Sequence, residues 1–288
     1  MRVLWLLLLL AGGQWGEVVT VRYVMFNVSV TDAYGKPQTH LRRDDFTMWV
    51  DLNQVRFDHF SHDFSAPVST LILLDDSGSM DLGRRPNMVK AVIQQFLRQW
   101  REGDEHALIS FQNRSMHTEI PFPGSKRGFF DFLAQSKPRG QTALYDALLA
   151  VQDEIQKGSN ERKQIILITD SHDNYSSVPP GTAIQIIQEL EVPVHVICVP
   201  LSEREPLEIK FLLSLAKYTG GTLHVLKRES EIEEAVSQIL ALVHHQYLLG
   251  FAPDTSKEVQ YRRVQIDVKG KHIIRTRKGY KGYPPRTQ

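Results

Sequence analysis

The sequence predicts an α/β protein, a doubly wound and mostly parallel sheet accompanied by a small flanking all-β unit. Two observations lead there. Between residues 66 and 245, short apolar runs alternate with stretches of helical periodicity, which is how βαβ units and a parallel sheet read in one dimension. On either side, over residues 17–65 and 246–288, the pattern changes to short strand-like runs separated by turn residues. With 288 residues, 42% of them hydrophobic, the chain can bury one large core or two smaller ones without help from disulfides.

Met1-Arg2 and the apolar run over residues 3–11 have the charge and length of a secretory signal, and the run is too short to span a bilayer. Residues 1–16 are therefore expected to be removed, with small residues at Ala11, Gly13 and Gly16 available for cleavage. The mature protein is expected to be secreted or periplasmic and not inserted in a membrane. The absence of a cysteine after the apolar run gives no support for a bacterial lipoprotein anchor.

Val24, Phe26, Val28 and Val30 alternate with Met25, Asn27, Ser29 and Thr31, as in a half-buried strand. Residues 32–37 read as a turn, and residues 46–50 and 55–60 as two further strands. The central strands are expected at residues 70–74, 106–111, 164–169, 194–199 and 222–226, with residues 116–122 forming an antiparallel edge hairpin beside the second. Met88, Val92 and Phe96 with Val89, Ile93, Leu97 and Trp100 mark a long amphipathic helix, and Leu144, Leu148, Val151 and Ile155 another. Further helices fit residues 182–190, 208–218 and 230–245, and strands return at 247–251, 263–268 and 273–277.

Thirty-four basic residues against 33 acidic ones leave a formal net charge of +1, which provides no general attraction to nucleic acid or acidic membranes. The single cysteine, Cys198, lies in an apolar run and reads as a small buried hydrophobe, so no intrachain disulfide can form. His244-His245 closes a helix, where imidazolium would favour the dipole, and adjacent positions cannot converge on one metal. The basic residues Arg275, Arg277, Lys278, Lys281 and Arg286 read as a solvated terminal strand. Asn27, Asn113 and Asn174 lie in Asn-x-Ser sequons, relevant only in a glycosylating host.

The chemistry concentrates where the apolar strand Leu71-Ile72-Leu73-Leu74 runs into Asp75-Asp76-Ser77-Gly78-Ser79-Met80. An oxygen-rich loop at the carboxyl end of such a strand is where open α/β sheets bind ligands. Carboxylate and hydroxyl oxygens suit hard cations, and Mg²⁺ takes six of them in an octahedron at about 2.0–2.1 Å.

Asp75-x-Ser77-x-Ser79 resembles the metal-ion-dependent adhesion site of von Willebrand factor A-type domains. Gly140-Gln141-Thr142-Ala143-Leu144-Tyr145-Asp146 resembles that family's second metal loop, with its threonine at Thr142. Ile165-Ile166-Leu167-Ile168-Thr169-Asp170 resembles the strand that ends in the family's second aspartate, at Asp170. The resemblance spans residues 66–245. It implies a central mostly parallel sheet with helices on both faces and a site for Mg²⁺, or Mn²⁺, made by Asp75, Ser77, Ser79, Thr142 and Asp170. It further implies a protein partner whose acidic side chain takes the open coordination position, and coupling of the metal loops to the last helix, residues 230–245. Charge gives the same division of labour: two anionic and three neutral ligands leave the cation electrophilic.

Two features depart from the family pattern. Asp76 adds a carboxylate beside the metal loop, although neighbouring side chains at a strand end point apart. Ser171-His172-Asp173 follows Asp170 where the family often has glycine. The whole chain also resembles a bacterial, acidobacterial-type family in which an A-type domain follows a short β segment, through Val30-Thr31-Asp32, Leu41-Arg42-Arg43-Asp44-Asp45-Phe46 and Arg277-Lys278-Gly279-Tyr280.

No enzyme is expected. An aspartyl phosphatase of the haloacid dehalogenase type needs a second aspartate two residues after the first, and position 77 is serine. There is no Gly-x-Ser-x-Gly elbow and no phosphate-binding glycine motif. The expected function is Mg²⁺-dependent protein binding; the alternatives are a metal-stabilised structural module of the cell envelope and a metal-assisted hydrolase.

Overall fold

The computed structural model describes residues 23–201, 209–253 and 260–282. The export signal expected at residues 1–16 and Arg286 lie outside the described residues. In chain order, β1 (Val24–Thr31), β2 (Phe46–Val50), β3 (Asn53–Val55) and β4 (His59–His62) come first. The central part follows as β5 (Val68–Asp75), α1 (Arg85–Arg98), β6 (Glu105–Gln112), β7 (Ser115–Ile120), α2 (Lys126–Gln135), α3 (Leu144–Gln156), β8 (Arg162–Thr169), α4 (Pro180–Glu189), β9 (Val194–Cys198), α5 (Ile209–Thr219), β10 (Leu223–Val225) and α6 (Ile232–His244). β11 (Gln246–Phe251), β12 (Tyr261–Val268), β13 (Ile273–Arg275) and β14 (Gly279–Lys281) complete the described chain.

The central sheet has the order β10-β9-β8-β5-β6-β7 and is parallel except for the antiparallel edge strand β7. Helices cover both faces, so the inner strands β5, β6, β8 and β9 are buried over most of their length rather than alternating, whereas the edge strand β7 is largely exposed. On β5 and β8, Ile72, Leu74, Ile166 and Ile168 point to the core beneath α1 and α6. Leu71, Leu73, Ile165 and Leu167 point to the core beneath α3 and α5. Cys198 sits fully buried in that second core.

Two antiparallel four-stranded sheets, β13-β1-β11-β4 and β14-β12-β2-β3, lie beside this unit. They share one core, in which Phe26, Val28, Tyr247 and Leu249 meet Phe46, Met48, Val264 and Ile266. β1 lies between β11 and β13, and β2 pairs with β12, so segments from both ends of the described chain interleave. Expected residues 55–60 do not form one strand: β3 pairs with β2 and β4 with β11, and the chain changes sheets between them. Among the described residues no helix is long and apolar enough to cross a membrane.

Two expectations about charge are corrected. Arg277 is not on a solvated strand; it is buried, its guanidinium lies 4.7 Å from the Phe26 ring centroid, and Nη2 donates to the Met25 carbonyl at 2.9 Å. Its long stem and delocalised charge suit that aromatic face better than water. His244 is buried as well, and desolvation lowers its pKa to about 4, so it closes α6 as a neutral ring rather than an imidazolium.

Candidate metal centre

Asp75 ends β5 in the middle of the sheet, and its carboxylate is buried. One oxygen accepts the Ser77 backbone N–H at 3.1 Å and the other the Thr169 hydroxyl at 2.8 Å, which holds the carboxylate at the carboxyl edge of the sheet. Burial first, and then the negative charge of Asp170, push the Asp75 carboxyl up to about 7. Ser77 and Ser79 follow in a tight turn that brings their hydroxyls to 3.1 Å from one another.

Asp170 immediately follows β8, the strand beside β5, and is fully buried. Its Oδ2 makes no well-aligned hydrogen bond, but the Arg85 guanidinium lies 3.1 Å away. Arg85 is itself buried; its Nη1 also donates to the Ser79 carbonyl at 2.9 Å and its Nε to the Val199 carbonyl at 3.1 Å. One guanidinium thus joins the Asp75–Ser79 loop, Asp170 and the end of β9. Nothing local in the sequence marks this role, because Val199 is 114 positions away.

Thr142 is buried on the loop before α3, and that loop is bonded to both neighbours. Gly78 N–H donates to the Gly140 carbonyl at 3.0 Å and Arg139 N–H to the Asp76 carbonyl at 2.8 Å. A side chain at Gly78 would place its Cβ 3.3 Å from that same carbonyl, so the close approach favours glycine. On the other side, Thr142 N–H donates to Asn174 Oδ1 at 2.9 Å, and the Thr142 carbonyl accepts from Asn174 and Tyr175. Asp173 Oδ2 accepts the Tyr145 N–H in the first turn of α3 at 3.0 Å. Asp173 and Asn174 were not among the expected site residues; a pair of Asx residues just past a strand is the signal for such capping.

The two departures resolve as follows. Asp76 points away from the hydroxyl pair and accepts from the Ser136 hydroxyl at 3.1 Å, with its pKa raised chiefly by burial. Ser171 adopts φ +84°, the left-handed conformation natural to glycine, so the loop keeps a glycine-like backbone with serine in place. His172 approaches Asp170 Oδ1 with its backbone N–H at 3.2 Å and its ring Nδ1 at 3.4 Å.

The donor set suits a hard divalent cation. Carboxylate and hydroxyl oxygens predominate, with neither thiol nor imidazole among the five, and Asp170 presents a buried oxygen without an aligned donor. Among the described residues no group of three or more His, Cys, Asp or Glu is placed to hold a metal.

Residues 70–172 match the sequence model of the von Willebrand factor type A domain. No curated protein matches the sequence. Among solved structures, a von Willebrand factor type A protein from Catenulispora acidiphila superposes with TM-score 0.55 at 14% identity, over 92% of this chain and 75% of that one. Proximal thread matrix protein 1 from the mussel byssus superposes with TM-scores of 0.52 and 0.50 in two structures, at 16% and 19% identity, over 67% and 61% of this chain. This chain spans about half the length of the mussel protein, 49% and 47% in the two structures. At these identities the likeness is one of fold, and it coincides with the matched sequence and the sheet order: the protein is built around a von Willebrand factor type A domain.

Proposed function

We propose that the protein is an exported, divalent-cation-dependent protein-binding module, secreted or periplasmic, and not an enzyme. Asp75, Ser77, Ser79, Thr142 and Asp170 would hold Mg²⁺, or Mn²⁺, and an acidic side chain of a partner protein would provide a further oxygen. The observation that supports this most is the mutual bonding of the three loops that carry these residues, which fixes hard oxygen donors at one edge of the sheet before any ligand arrives. When bound, the cation supplies a Lewis-acidic position for an anionic oxygen.

The chain's own charges set the sign of recognition. Among the candidate ligands and the guanidinium that touches them, two buried carboxylates, Asp75 and Asp170, against Arg85 leave a formal charge of −1, the nearby Asp76 carboxylate being bonded to the Ser136 hydroxyl. A dication therefore leaves the occupied site positive, which favours a carboxylate from a partner over a neutral or basic group. Arg85 strengthens this bias compared with a site of two carboxylates alone.

Two measurements test the reading. Mg²⁺ or Mn²⁺ should raise the unfolding temperature, by the equivalent of about 2.7 kcal/mol at a hundredfold excess over the dissociation constant, and Asp75→Ala should abolish the shift. Equal responses of wild type and Asp75→Ala to cation and chelator would rule out Asp75 as a ligand. Capture of partners from a cell-envelope extract should disappear with chelator and with Ser77→Ala plus Ser79→Ala. Capture that survives chelator unchanged would remove the cation from recognition and favour a structural role for it.

A further inference from the structure

A cavity of about 500 Å³ opens at the amino-terminal edge of the central sheet, away from the Asp75 loop, where α5, α6 and β10 face the β-sandwich. Lys217, Thr222, His224 and Gln238 line it from the A-type domain, and Thr31 and Arg275 from the sandwich. Among the described residues that line it, none is acidic. The Arg275 guanidinium is half-buried, and among the described residues its hydrogen bond is a long one, from Nη1 to the Thr31 hydroxyl at 3.4 Å. Most of the five donors in its fixed fork therefore have no protein acceptor among the described residues and stay open to a ligand or to water. Lys217 and Lys278 add positive charge nearby, and the pKa of Lys278 is lowered by burial and then by Lys217.

The neighbouring histidines do not add to this charge. His195 and His224 are held neutral, at about 3 and about 4, by burial first and by the charge of Arg275 among the smaller causes. Their rings flank the Thr222 hydroxyl at 2.9 and 3.0 Å, so His224 and Thr222 give the cavity a polar, uncharged wall that buried His195 backs. A carboxylate or phosphate fits the guanidinium fork in a bidentate manner and gains most where the guanidinium is partly desolvated. The volume is in the range of small-ligand sites, which favour clefts between domains.

We propose that this cavity binds a small organic anion, recognised by Arg275 and Lys217 through its carboxylate or phosphate group. The site shares no residue with the Asp75 loop, so the two readings stand or fall separately.

Isothermal titration calorimetry of the full chain at low ionic strength tests it, with citrate as the carboxylate probe and glycerol 3-phosphate as the phosphate probe. Saturable one-to-one binding of at least one probe is expected, and the tighter probe identifies the chemistry. Arg275→Gln and Lys217→Gln should each weaken binding tenfold or more, whereas Arg127→Gln, exposed on α2, should leave it unchanged. Lys217 is exposed, so Lys217→Gln should fold even if Arg275→Gln does not. Failure of both probes to saturate, or unchanged affinity in either folded variant, overturns the proposal.

Discussion

Arg85 shows how a single buried charge can organise a site. Its guanidinium and the Asp170 carboxylate are 2% and 1% exposed, so neither has water to stabilise it and each depends on the other. Removing one partner of such a pair leaves the other charged and desolvated, which typically costs about 3–5 kcal/mol. Arg85→Met should therefore destabilise the protein by about that amount in chelator, measured by urea unfolding. Saturating Mg²⁺ should recover part of the loss by supplying positive charge beside Asp170. A loss below about 1 kcal/mol would show that the guanidinium is not what balances Asp170. The candidate residues were legible as a group because Asp75, Ser77 and Ser79 share one turn by spacing, and Asp170 stands at the end of an apolar strand. Arg85 was not, since its burial arises only when the ends of β5, β8 and β9 come together.

At the scale of elements, the same contrast between local and distant causes recurs. β1 and β2 were legible to the residue because apolar residues alternate along each and turn residues follow each, although the second half of β1 is buried on both faces. The missed helix α2 carried a usable signal: Ser125 accepts from Gly128 N–H as its N-cap, and Phe129, Phe132 and Leu133 follow at helical spacing. The division of residues 55–60 carried none, because it results from two sheets competing for one segment. α6 qualifies the coupling that the family resemblance implies. Its Leu242 carbonyl accepts the Ser29 hydroxyl at 2.8 Å, and β11 begins directly after it, so any shift of the helix must also displace strands of the sandwich. At α3 the Tyr145 N–H is shared between Asp173 and the Ser176 hydroxyl, each at 3.0 Å, and Asp173 holds that hydroxyl at 2.6 Å. Asp173→Ala should lower stability by about 1–2 kcal/mol, the usual range for a lost N-cap, and should also weaken Mg²⁺ affinity because Thr142 sits just before that turn. Titration of Mg²⁺ against the unfolding temperature reads both; a stability loss with unchanged affinity would mean that the cap does not position Thr142.

At the scale of the whole molecule, the A-type domain joins two segments that belong to one sandwich. The strand patterns of residues 17–65 and 246–288 were visible in the sequence, but their register was not, because pairing across some two hundred positions leaves no periodic trace. The register depends on side chains that fill one core: Phe26 stacks on Phe251 at 6.4 Å, and both meet the Tyr280 ring edge-on. Gly279 permits that arrangement, since a Cβ there would lie 2.2 Å from the Arg262 carbonyl. The sandwich is also sewn to the central domain, with Lys278 N–H donating to the Tyr218 carbonyl at 3.0 Å and Lys281 Nζ lying 2.8 Å from Glu189. Deleting residues 246–288 would remove both neighbours of β1, the partner of β4 and the partner of β2 opposite β3. What remains of the sandwich would be an isolated β1, an isolated β4 and a two-stranded hairpin, none stable alone in water. The truncated protein should therefore be cleaved rapidly by protease within residues 23–63 and bind a hydrophobic dye that the full chain does not, while residues 66–245 resist. Full protease resistance of residues 23–63 in the truncated chain would show that the first segment draws its stability from the A-type domain rather than from the second segment.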